Sequence, residues 1–175
     1  MTMTVHDRSR AISTFRFLSV WMMETIAGWT PITPEMDVKV MFGRHIWDYA
    51  QIADALGKRT FELRKPEQHS TAPGPAYLDF LHTVRSEATT AARIGAFYEG
   101  LLPGLIARYR AYVAATDPVL DEPSVVIIDR ILRDLERHRQ EANSLCEALK
   151  LAPAKPGFAS REAAIGEFIV AKADA

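Results

Sequence analysis

Cysteine is almost missing from this sequence: the 175 residues contain one, Cys146. A single thiol excludes an internal disulfide and any Cys-rich metal motif, which suits a reducing compartment. Long apolar runs are missing too. The longest, FLSVWMMETIAGW, is interrupted by Glu24 and falls short of the roughly 20 residues that span a bilayer. The charged start MTMTVHDRSRA has no apolar centre of the kind a secretory signal needs, so a cytoplasmic chain without membrane spans is expected. A net charge of −1 gives no general electrostatic case for binding nucleic acid or an anionic membrane. The arginines of RAISTFRF read as solvated helix surface. There is no Gly-rich phosphate loop, since GKR at Gly57 lacks both the upstream glycine and the Ser or Thr, and neither Gly-x-Ser-x-Gly nor His-Glu-x-x-His occurs. Sustained strand alternation is absent as well.

What is present is helical periodicity in a chain that is 48% hydrophobic and 25% charged, the balance of a single soluble domain with a sizeable core. A first helix is expected from about Asp7 to Trp29, ended by the prolines of TPITPE. A second is expected to about Arg64, with Thr33 as its cap and Pro34 at its first position. KPEQHSTAPGPAY reads as a loop and is followed by a short helix over about Ala76 to Arg85. A third long helix over about Thr89 to Ala115 should kink at Pro103. A fourth, with Asp121 as candidate cap, should reach about Lys150. The predicted fold is all-α: an antiparallel four-helix bundle over residues 1–150, with a short extra helix in the long connection between helices two and three. The tail, 151–175, is expected either as a short helix packed on the bundle or as a mobile end.

Polar groups on inward helix faces mark candidate chemistry, because a buried charge needs a partner or a metal. On helix one, Glu24 is the only charge between Arg16 and Glu35 and is assigned inward. On helix two, His45 and Asp48 interrupt the stripe Val38, Met41, Ile52, Ala55. On helix three, Glu99 shares a face with Gly95, Leu102, Ile106 and Tyr109. On helix four, His138 is the polar member of the stripe from Val125 to Leu149, while Asp134, Arg137 and Glu141 fall on outer faces. Each of these can equally be a structural group: a core histidine satisfied by a neighbour, or a boundary carboxylate.

One inward polar position on each of four helices resembles the ferritin-like superfamily, and GRHIWDYAQIADALGKR is similar to the second helix of small bacterial ferritin-like proteins. That resemblance implies two helices giving one Glu each, matched by Glu24 and Glu99, and two giving Glu-x-x-His. Here both Glu-x-x-His motifs are broken. Asp48 takes the Glu place of helix two with Gln51 where His is needed, and His138 of helix four is preceded by Leu135 where Glu is needed.

Three readings follow. In the first, the bundle holds no metal cofactor, and a central pocket binds a small apolar molecule walled by Trp21, Trp47, Phe97 and Tyr98. Glu24, His45, Asp48 and His138 then serve as acid and base. In the second, Glu24, His45, Asp48, Glu99 and His138 supply an iron or manganese ion for oxidase or oxygenase chemistry. In the third, the chain is a non-enzymatic helical protein that dimerises or binds a partner.

Overall fold

The computed structural model describes residues 3–151, 157–166, 168 and 169. Among them every regular element is helical: α1 (Val5–Trp29), a 3₁₀ turn (Thr30–Ile32), α2 (Met36–Glu62), α3 (Pro75–Arg85), α4 (Thr90–Ile94), a π-helix (Gly95–Leu101), α5 (Leu102–Ala115), α6 (Glu122–Leu149) and α7 (Phe158–Ala163). No helix of the described residues is long and apolar enough to cross a membrane.

Local chemistry sets the ends. Thr4 and Asp7 form a reciprocal capping box at the start of α1. Thr33 does not cap α2 as the sequence suggested. Its hydroxyl donates to the Trp29 carbonyl (2.8 Å), finishing the 3₁₀ turn that Pro31 opens, and Glu35 becomes the residue before the helix. α2 closes with paired backbone bonds, Arg64 N–H to Phe61 O and Lys65 N–H to Thr60 O, with Arg64 itself left-handed (φ 64°).

The expected kink at Pro103 takes another form. The turns just before it widen into a π-helix, in which the Leu102 N–H reaches back five residues to Phe97 O. Proline brings no N–H of its own for the Glu99 carbonyl, so the ladder is already broken where the bulge is accommodated.

α1 and α2 form a helical hairpin, α6 packs on both α2 and α5, and α5 meets α1 through Phe15 stacked on Tyr109 (centroids 4.2 Å). The core is continuous: Ile12, Leu18, Met22 and Ile26 of α1 join Phe42 and Leu56 of α2, Leu105 of α5 and Leu135 of α6. Each such side chain contributes about 1.5–3 kcal/mol by leaving water. One ionic node clamps this core at an end. Asp121, fully buried before α6, accepts from Arg59 Nη2 (2.9 Å), Ser124 Oγ (2.6 Å), Tyr112 Oη (2.6 Å) and Thr116 Oγ1 (2.9 Å).

Candidate functional site

The spacing of α2 brings His45, Asp48, Tyr49 and Ile52 to the side facing α6, and α6 answers with Asp134, Arg137, His138 and Glu141. His45 and His138 are both fully buried and lie ring against ring, centroids 3.9 Å apart at 31°. Their polar partners are crossed between the helices. His45 Nε2 meets Glu141 Oε2 of α6 at 3.1 Å, and His138 Nε2 meets Asp48 Oδ2 of α2 at 2.9 Å. Residue numbers therefore rise along one helix as they fall along the other, so α2 and α6 run antiparallel here.

At the inner ends, Tyr98 Oη contacts His45 Nδ1 (2.7 Å) and Tyr49 Oη contacts His138 Nδ1 (3.2 Å). At the outer ends, Arg137 bridges the two carboxylates, with Nη2 at 3.2 Å from Asp48 Oδ2 and Nη1 at 3.5 Å from Glu141 Oε1.

Burial pushes both histidines toward the neutral form. His45 falls to about 4, first through desolvation and then through His138, against the pull of Glu141. His138 is lowered too, first through desolvation, with Asp48 opposing and Arg137 adding to the fall. Burial alone would raise Asp48 and Glu141, but hydrogen bonds from His138 and His45, together with the nearby arginines, leave both below the usual carboxylate range. Desolvation holds Tyr49 and Tyr98 well above their ordinary value, so both hydroxyls keep their protons. The tautomers follow. Nε2 of each neutral imidazole donates to an ionised carboxylate, and Nδ1 accepts from a tyrosine. The result is two parallel tyrosine–histidine–carboxylate chains running from the core to the surface.

Each chain ends on a groove between α2 and α6. Glu141 lines a groove of about 560 Å³ with Asp37, Val40, Met41, Arg44 and Leu145. Asp48 lines another of about 260 Å³ with Gln51, Ile52, Ala55, Ile127 and Ile131.

Other assignments from the sequence fall elsewhere. Glu24 is exposed, not inward. It lines a separate hollow with Gly28, Trp29, Arg85 and Arg93. α1 is apolar nearly all round past Arg16, so its pattern does not mark the face that packs; Leu18, Met22, Thr25, Ile26 and Trp29 take that face and leave Glu24 outside. Trp47 is also exposed, and Trp21, buried, lies under Arg85 (5.7 Å); neither is part of the histidine cluster. Phe97 packs edge-on to Tyr49. Glu99 pairs with Arg139 at 3.4 Å, while its Oε1 is buried without a partner.

Tyr49, Arg137 and Glu141 are members of the cluster that the sequence reading did not select. The sequence carries a signal for Glu141: both α2 and α6 hold His-x-x-acid, as His45–Asp48 and His138–Glu141, the reverse of the Glu-x-x-His order. No protein-family model matches this chain, and searches of curated proteins and of solved structures return no match.

The donor set does not fit the di-iron centre that a ferritin-like resemblance implies. All four imidazole nitrogens are engaged by tyrosines or carboxylates, and Leu135 is buried where a ligand would be needed. Among the described residues, no three His, Cys, Asp or Glu side chains converge as ligands.

Proposed function

We propose that this chain is a four-helix bundle of ferritin-like plan that performs acid/base chemistry on a small molecule bound between α2 and α6. The scaffold part of the reading is supported by four long helical rods, namely α1, α2, the continuous 90–115 helix and α6, and by the long 63–89 connection that carries α3. The chemical part rests on one observation: a buried neutral histidine joins a buried tyrosine to a carboxylate that lines a groove.

Glu141 is the group that meets the ligand. Val40, Met41 and Leu145 offer an apolar floor, so the ligand is a small molecule with an apolar body and one exchangeable proton. As a proton reaches Glu141, His45 keeps its Nε2–H directed at the carboxylate and Tyr98 fixes the ring from behind. The stacked His138 opposes a positive charge on His45, so the added proton stays on Glu141.

A fragment set of small aromatic amines and acids, followed by protein NMR, tests this. Fragments should shift resonances around Val40, Met41 and Glu141, and Glu141→Gln should weaken the binding at least tenfold. If no fragment moves those resonances, or if Glu141→Gln binds equally well, the reading falls. Metal analysis of protein purified without chelators covers the iron or manganese alternative: a stoichiometric ion lost in His138→Ala would replace the proposal.

A second reading has its own observation. Met36, Val40, Trp47 and Phe61 lie along one side of α2 and are 68%, 54%, 66% and 65% exposed. Such a stripe suits a second copy of the chain. Sedimentation of Trp47→Glu as a monomer beside a wild-type dimer would support it.

A further inference from the structure

We infer that Tyr77, Gly104 and Arg108 form a carboxylate-binding cradle, separate from the histidine cluster, that Glu162 of the chain's own C-terminal segment fills in the manner of a ligand. Glu162 sits on the six-residue α7 and is buried to 1% exposure. Its Oε1 accepts from Tyr77 Oη (2.9 Å) and Arg108 Nε (2.7 Å). Arg108 Nη2 donates to the backbone carbonyls of Glu162 (3.2 Å) and Ile165 (3.1 Å). Both recognising side chains come from the body of the fold, α3 and α5, and the guanidinium lies over the Tyr77 ring at 5.1 Å.

The floor is cut to fit. A Cβ at Gly104 would overlap the Glu162 carboxylate, and one at Gly100, a helical turn earlier, would come within 2.5 Å of Phe158 Cβ. Burial and the neighbouring Glu162 hold the Tyr77 hydroxyl protonated, so it remains a donor.

The occupant is weakly held by its own structure. A helix of this length has no stability apart from its docking, and eight residues, 150–157, two of them proline, separate it from α6 in the sequence. The chemistry that recognises Glu162 recognises any carboxylate. Phe168, with its ring 4.6 Å from the Arg108 guanidinium and packed on Phe15 and Tyr77, occupies the apolar place beside it. The ligand class is therefore a monocarboxylate with an apolar body, in competition with the C-terminal segment.

Full-length Glu162→Ala, with sodium benzoate as probe and neutral benzamide as control, tests the cradle. Benzoate should raise the melting temperature of this variant by several degrees in a saturable way, benzamide should not, and adding Arg108→Ala should abolish the rise. Equal melting curves in benzoate and benzamide overturn the inference. Should Glu162→Ala fail to fold, hydrogen exchange in Glu162→Gln decides: benzoate should speed exchange over 157–169 at least threefold relative to benzamide, and equal rates overturn the inference.

Discussion

Two buried polar networks join α2 to α6, and they solve the same physical problem in opposite ways. At one end, Asp121 carries a permanent charge and is saturated by Arg59 and three hydroxyls, with Arg8 Nε at 3.9 Å. Further along, His45 and His138 avoid charge by remaining neutral between tyrosines and carboxylates. The first is a clamp: burial would raise the Asp121 carboxyl, but its hydrogen bonds hold it below the ordinary range. The second carries no charge on its rings: burial lowers both histidines and keeps them neutral. The difference is one of cost: a buried charge needs every lone pair filled by fixed donors, whereas a neutral ring needs only one donor and one acceptor.

The largest expected effect lies at the clamp. Asp121→Ala takes the buried carboxylate from Arg59, which keeps only the exposed Glu62 (2.6 Å), leaves three buried hydroxyls without their acceptor, and should cost about 3–5 kcal/mol, read from urea denaturation at neutral pH. A loss under 1 kcal/mol would place the two networks on an equal footing.

Next comes acid sensitivity. His45 is held near 4 in the folded chain, below its ordinary value of about 6.5. Between those pH values the unfolded chain takes up a proton that the folded chain refuses, so stability falls as pH falls from about 6.5 to about 4. The gap corresponds to about 3 kcal/mol for His45. His45→Gln should shrink that dependence and leave the part that His138 contributes. Asp121, lowered instead, supports the fold above the ordinary carboxylate value of about 3.9 and loses its contribution only below it. A wild-type stability profile flat from 6.5 to 4 would break the comparison.

The smallest effect sharpens it. Arg44 pairs with Glu141 from an exposed position (3.4 Å), so Arg44→Ala should change stability by less than about 1 kcal/mol. It should also leave the acid window in place, because the window belongs to the buried ring.

The helical class, the long elements and the prominence of His45, Asp48 and His138 are legible in the order of residues alone. Period, proline placement and polar breaks in an apolar stripe are local properties, legible wherever one helix face is plainly apolar, as on α2 and α6. α1 offers no such contrast, so its pattern points Glu24 inward while the fold leaves it exposed. Which side chains meet across helices is set by packing. Glu141 and Arg137 read as solvated surface on an isolated helix, and they become the outer end of the histidine cluster only when antiparallel α2 sets His45 and Asp48 opposite them. The cradle at Arg108 is more strongly non-local still, since it joins α3, α5 and a segment 54 residues further along the chain. Helical periodicity fixes which way a side chain points, but what it meets depends on packing between distant segments.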